Sequence, residues 1–366
     1  MTQKKVIISG GGTGGHIYPA IAIANAINQL RPGTQILFVG AEGKMEMQKV
    51  PQAGYKIIGL PIAGIQRKFT LKNLSFPFKL IRSLLKARQI VKDFQPDVAV
   101  GVGGYASGPL LYAASSRNIP TLIQEQNSYA GLTNKMLARR ARRICVAYPG
   151  MAQFFPEAKI RMTGNPVRQD IAQLLQKRQE ALAFFNLKDG KPVLLVIGGS
   201  LGARTINESI KAHLPQLASS GVQVIWQTGK FYFEGCKAAV DAIKPKNIWV
   251  NDFITRMDFA YAAADIVISR AGALSISELC LAGKPAILVP SPNVSEDHQT
   301  KNAMALVTAH AALLVKDTEA TEKLVPTALR LVDDEGLKQE LSLNILHLGK
   351  PNAAREIAEE VLGLIS

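Results

Sequence analysis

The sequence has 366 residues, 47% of them hydrophobic and 19% charged, with a formal net charge of +15; this length and apolar content suit two cored domains and exclude a disordered or fibrous chain. Three widely spaced cysteines, Cys145, Cys236 and Cys280, include no C-x-x-C pair, so neither a disulfide framework nor a thiolate metal site is expected, and a reducing compartment fits. No run of about 18 uncharged apolar residues is present to span a membrane, and the opening MTQKK lacks the apolar h-region of a secretory leader.

The first strand, VIIS (6–9), runs into SGGGTGGH (9–16), and a helix follows with Ile17, Ala20, Ile21, Ala24 and Ile27 at helical spacing and Pro19 tolerated in its first turn. Gly10, Gly12 and Gly15 satisfy G-x-G-x-x-G, so an NAD(P)-dependent oxidoreductase is one reading. That reading requires an acidic residue at the end of the second strand to hold the ribose hydroxyls. After QILFV (35–39) only Glu42 of GAEG offers itself, and late. His16 stands directly after the glycines and brings an imidazole to the mouth of the loop. Its ordinary pKa of about 6.5 suits proton transfer; a purely structural role at the helix start is the alternative.

After the strand YKIIGL (55–60) the chain turns strongly basic. Up to Asn165 there are 22 Lys and Arg against 6 Asp and Glu, whereas the remainder is nearly balanced. No acidic residue lies between Glu46 and Asp93, and in 65–92 bases such as Lys72, Lys79, Arg82 and Lys86 alternate with Phe and Leu. Three readings stand: a surface for anionic lipid, a core helix over 79–92 with a solvated basic face, and a nucleic-acid patch. No RRM, helix-turn-helix or zinc-finger signature supports the last.

DVAVGV (97–102) leads into a second glycine loop, VGVGGYASGP (100–109), and PTLIQ (120–124) and RICVA (143–147) complete a first set of strands. TGNPVRQD (163–170) breaks the pattern and is the expected boundary between domains 1–164 and 165–349. A second set follows: PVLLVIG (192–198), VQVIW (222–226), NIWV (247–250), DIVIS (265–269), PAILV (285–289) and AALLV (311–315), separated by helical segments. This alternation predicts an α/β chain of two doubly wound parallel sheets.

A third glycine loop, VIGGSLGAR (196–204), again sits between strand and helix. Such loops let backbone N–H groups approach a phosphate, and the helix behind adds a partial positive charge. Three of them predict a cleft for a phosphorylated ligand. SRAGALSISELCLAGKPAIL (269–288) reads as strand end, glycine turn and helix, stopping at Gly283. The first-turn amides of Ala273–Ser275 suit a diphosphate, and Glu278, one turn past Leu274, suits a ribose diol or is an ordinary helix glutamate. In PNVSEDHQTKNA (292–303), Asp297, His298, Gln299 and Asn302 suit sugar hydroxyls.

The motifs GGTGGHIYPA, GVGGYASGP, QEQNSYAGLTNK, GNPVR, GGSLGAR, SRAGALSISE and DHQTKNA run in this order from residue 10 to residue 303, and the set resembles the MurG family of bacterial peptidoglycan N-acetylglucosaminyltransferases. The resemblance implies a GT-B fold, two Rossmann-like domains facing across a cleft, with the helix within 350–366 packing back on the N-terminal domain. It implies an inverting transfer of N-acetylglucosamine from UDP-N-acetylglucosamine to the muramyl 4-hydroxyl of lipid I, giving lipid II, without a cofactor. The donor-binding residues it implies are Thr13, Gly14, Gly15, Asn127, Arg168, Ser200, the backbone of Ile254, the segment Ala273, Leu274, Ser275, Ile276, Ser277 and Glu278, and Gln299. His16 is the first candidate for the base, or else a phosphate contact, and Glu125 the second; Gly103, Gly104, Tyr105 and Ser107 are placed on the acceptor side by position alone. Gln124 and Ala271 depart from the His and Ser frequent in the family. No D-x-D is present to hold a metal, so loop amides are expected to stabilise the leaving diphosphate. A lipid-linked acceptor further implies peripheral attachment to the cytoplasmic face of the bacterial membrane through 65–92, and no nucleic-acid partner.

Overall fold

A computed structural model describes residues 3–62, 76–167, 171, 174–199, 201–294 and 297–365. The chain divides into two units, Met1–Val167 with Asn352–Ser366, and Arg168–Pro351. The first holds a seven-stranded parallel sheet of β1 (Lys5–Ser9), β2 (Gln35–Ala41), β3 (Lys56–Leu60), β4 (Val98–Gly101), β5 (Thr121–Glu125), β6 (Arg143–Val146) and β7 (Ile160–Met162), in the order β3-β2-β1-β4-β5-β6-β7. The six expected strands are all present. β7 was not foreseen: it is three residues long, at the sheet edge, with no fully buried residue, so it carries no apolar run to read.

Burial on both faces explains why these strands are continuous apolar runs. One face of the sheet packs against α1 (Gly14–Leu30), whose Ile17, Ala20, Ile23, Ala24 and Ile27 are buried. The same core takes in the C-terminal helix Ala353–Leu362 through Ala354, Ile357, Ala358 and Val361; this i, i+3, i+4, i+7 spacing makes one apolar stripe. Glu360 in that helix pairs with Arg143 at 3.1 Å and Arg161 at 3.5 Å, which fixes it against β6 and β7. Between β2 and β3 runs the short α2 (Glu46–Gln52). The other sheet face is covered by α3 (Phe76–Phe94), α4 (Ser107–Ser115) and α5 (Leu132–Leu137).

The second unit repeats the plan. Its strands are β8 (Val193–Ile197), β9 (Gln223–Gln227), β10 (Ile248–Asn251), β11 (Ile266–Ser269), β12 (Ala286–Leu288) and β13 (Leu313–Leu314), ordered β10-β9-β8-β11-β12-β13 and all parallel. In each unit the order is that of a Rossmann sheet, 3-2-1-4-5-6, with one strand added in the first. The fully buried Trp226 donates to Asn207 Oδ1 at 2.9 Å, so the one polar atom of a large core residue is satisfied. Asp258 accepts from Arg256 and, at 3.0 Å, from Lys177. The Arg256 guanidinium first, then Lys177, hold its carboxyl well below the usual range.

Candidate functional site

In a doubly wound sheet the chain leaves adjacent strands in opposite directions at one point only, where strand order reverses, and the loops there open a crevice at the carboxyl ends. That point lies between β1 and β4 in the first unit, with Ser9 opposite Gly101, and between β8 and β11 in the second, with Ile197 opposite Ser269. The glycine loops of the sequence fall at these two places.

In the first unit the loop after β1 and the loop after β4 interlock. Gly103 and Gly104 have φ of +103° and +87°, and a Cβ on Gly104 would strike the backbone of Gly11. Only glycine permits both the left-handed backbone and this approach. The His16 ring lies on the Cα of Gly103, where a Cβ would come within 2.5 Å of Cδ2 and 2.7 Å of Nε2. His16 Nδ1 is 3.1 Å from the carbonyl oxygen of Gly11 and 3.3 Å from Thr13 Oγ1. A carbonyl only accepts, so Nδ1 carries the proton and Nε2 of the neutral ring is the basic nitrogen. Thr13 precedes α1 in extended conformation, and Gly14 and Gly15 open its first turn, where amides have no intrahelical acceptor. Tyr105 stands half exposed at the tip of the second loop.

Two of the expected residues are held in bonds of their own. Glu125 is buried, and its oxygens accept from Asn127 N at 3.1 Å, Asn127 Nδ2 at 3.3 Å, Gly131 N at 2.9 Å and Asn134 Nδ2 at 2.8 Å. Four donors on one carboxylate fill its acceptor positions, so it braces the 127–134 loop and places Asn127. Ser107 is fully buried and its hydroxyl faces Gly103 O at 2.8 Å and Ser9 O at 3.0 Å, tying the second loop to β1 and offering a ligand nothing. Gln124, departing from the usual His, donates to Asn165 Oδ1 at 3.0 Å, while Asn165 donates to Gln126 O at 3.0 Å and Gln126 to Val102 O at 2.6 Å. Gln126 Nε2 also donates to Gln124 Oε1.

In the second unit, Gly272 is extended and the helix Ala273–Ala282 starts behind it, with Ile276 N bonded to Gly272 O. The earlier amides, Ala273 to Ser275, are the ones an α-helix leaves for a ligand. Ser277 is turned back onto its own helix, its hydroxyl donating to Ala273 O at 3.0 Å. Glu278 is half-buried and accepts from the Tyr261 hydroxyl at 3.2 Å, which fixes its direction. Gln227 links the loop after β8 to the turn after β10: its Nε2 donates to Gly199 O at 3.1 Å and its Oε1 accepts from Ile254 N at 2.9 Å. The Ile254 N–H is therefore already committed, and its carbonyl is the backbone group that can serve a base edge. Gln299 Oε1 accepts from Ser291 N at 2.8 Å, a bond that uses its oxygen and not its NH2. Asn302 is fully buried beneath Ala271, and Asp297 accepts from Thr300 at 2.7 Å. Arg168 and Ser200 lie outside the described residues, as does 63–75 of the basic stretch. Among the described residues no group of three or more His, Cys, Asp or Glu is placed to hold a metal ion.

The sequence reading missed Glu46. It is fully buried at the start of α2, with Oε2 accepting from Gly12 N at 2.9 Å and Oε1 from Ala41 N at 3.0 Å.

Residues 6–146 match the glycosyltransferase family 28 N-terminal domain, and residues 193–361 match the family's C-terminal domain. The chain belongs to glycosyltransferase family 28. Two curated relatives in this family, from Parabacteroides distasonis and Bacteroides thetaiotaomicron, are 57% and 60% identical to it, over 100% and 99% of this chain and 99% and 98% of their own. Both are named UDP-N-acetylglucosamine–N-acetylmuramyl-(pentapeptide) pyrophosphoryl-undecaprenol N-acetylglucosamine transferase. The crystal structure of Acinetobacter baumannii MurG is 31% identical, with a TM-score of 0.79 over 98% of this chain and 99% of that one. As a family 28 member with two Rossmann-like units, the chain is a GT-B glycosyltransferase. The oxidoreductase reading is thereby overturned; Glu42, which it required for a ribose, is instead a surface partner of Lys86 at 2.8 Å.

Proposed function

We propose that this chain is an inverting transferase that moves N-acetylglucosamine from UDP-N-acetylglucosamine to the muramyl 4-hydroxyl of undecaprenyl-diphosphate-linked lipid I. The product is lipid II, the peptidoglycan precursor on which wall growth, cell shape and division depend. The observation that carries this reading is the 57–60% identity, over nearly the full length, with transferases so named, and the roles that follow are part of the proposal. His16 Nε2 takes the proton of the 4-hydroxyl as its oxygen bonds to the anomeric carbon; the bond from that carbon to the UDP oxygen breaks on the opposite face. The amides of Ala273–Ser275, with Ser200 and Arg168, receive the diphosphate charge as it develops. Glu278 takes the ribose hydroxyls, Gln299 and Asn127 the sugar, the Ile254 carbonyl the uracil, and the first loop from Thr13 to Gly15 a phosphate. With no D-x-D in the sequence, stabilisation of the leaving group is assigned to these donors without a metal; transfer should persist in EDTA, and full loss would contradict this assignment. His16→Ala should lower kcat by about 100-fold or more, and near-normal kcat across pH 6 to 9 would remove His16 as the base.

We further assign peripheral attachment at the cytoplasmic face of the membrane to α3. Its Phe78, Ile81 and Leu85 are 73%, 56% and 58% exposed beside Lys79, Arg82 and Lys86, and Leu132 and Met136 of α5 are also exposed. Among the described residues no helix is long and apolar enough to cross a membrane. Apolar side chains with bases around them suit insertion below anionic headgroups.

A further inference from the structure

Glu46 is a fully buried carboxylate on α2 that the proposed reaction leaves without a task. Taking a charged group out of water is costly unless its acceptors are satisfied, and both oxygens are bonded to backbone amides, Gly12 N at 2.9 Å and Ala41 N at 3.0 Å. The room for it is made by Gly11 and Gly40, since a Cβ at either would collide with the Glu46 side chain. The chain has thus given up two side chains to seat one carboxylate behind the glycine loop.

The amide of Gly12 and the carbonyl of Gly11 belong to the same peptide group. Its N–H donates to Glu46, and its oxygen, at 3.1 Å, accepts from His16 Nδ1. An amide that donates to a carboxylate becomes a better acceptor at its own oxygen, because hydrogen bonds in series polarise one another. We propose that Glu46 is a positioning residue for the transfer reaction, acting through the Gly11–Gly12 peptide group to fix the Nδ1–H tautomer of His16 and to raise the basicity of Nε2. The carboxylate plays the part that a carboxylate in direct contact plays for other catalytic histidines, with one peptide unit between. Glu46 also occupies the Gly12 amide, so a phosphate at this loop is received by the helix-start amides of Gly14 and Gly15 and not by Gly12.

This inference rests on His16 being the base, and the tests separate the two. In Glu46→Gln the carboxylate is lost; kcat/KM at its plateau should fall roughly 10- to 100-fold, and the acid limb of its pH profile should move to lower pH. In a His16→Ala background the same change should cost nothing further, since partners acting as one unit are not additive. An unmoved acid limb, or an equal cost in both backgrounds, would assign Glu46 to loop structure alone and overturn the proposal. Normal transfer by His16→Ala would instead remove the base and the relay together. Should Glu46→Gln not fold, nitrogen NMR of the unaltered protein decides: the relay requires protonated Nδ1 in neutral His16, and an Nε2–H tautomer overturns it.

Discussion

Gly103 and His16 depend on each other. The backbone at Gly103, with φ of +103°, is one that L side chains rarely adopt, and a Cβ there would displace the imidazole. Strain of this kind costs about 1–3 kcal/mol, and a base moved by a fraction of an ångström loses its alignment. Gly103→Ala should therefore lower kcat by roughly 100-fold with UDP-N-acetylglucosamine affinity little changed, measured by steady-state kinetics and donor titration; unaltered kcat would show that the ring does not need this seat. Individual residues were unevenly legible. His16 announced itself by following the glycines, and the glycines by the backbone only they adopt. Glu46 did not, because an acidic residue in a first helical turn is commonplace, and its meaning comes from Gly12, 34 residues away. The internal bonds of Ser107 and Glu125 were not legible for the opposite reason: position in a motif does not say which way a side chain turns.

At the scale of elements, every strand with an apolar run was readable, while β7, short and partly exposed, was not. α3 packs on the core as one of its readings expected, and its exposed side is the one on which the proposed lipid contact rests. Ser83, Ala87, Ile90 and Val91 pack inward, and the opposite side presents Phe78, Ile81 and Leu85 among bases. A helix that only covered a core would have no need of three large apolar side chains in water. Replacing Lys79, Arg82 and Lys86 with Glu should weaken binding to anionic liposomes by roughly 1 kcal/mol per charge lost without changing the melting temperature by more than a few degrees; unchanged liposome binding would reject α3 as the docking face.

At the scale of the whole molecule, two sheets with the same strand order place their glycine loops at the reversal point, so fold and candidate site are one problem. Stability should carry a signature of the second unit. Asp258 has a folded pKa depressed by Arg256 and Lys177, so its contribution is complete above the unfolded value of about 3.9 and is lost as pH falls below it. In Asp258→Asn the melting temperature should be lower at pH 6 and should decline less between pH 4 and pH 2 than in the unaltered protein; parallel declines would deny the carboxylate this role.

The most direct test of the whole account is the linkage made. Given UDP-N-acetylglucosamine labelled in the sugar and a lipid I analogue, the protein should move label onto the muramyl unit as a β-1,4 disaccharide and release UDP. No label in the acceptor, or an α-linkage, would contradict an inverting transfer to lipid I.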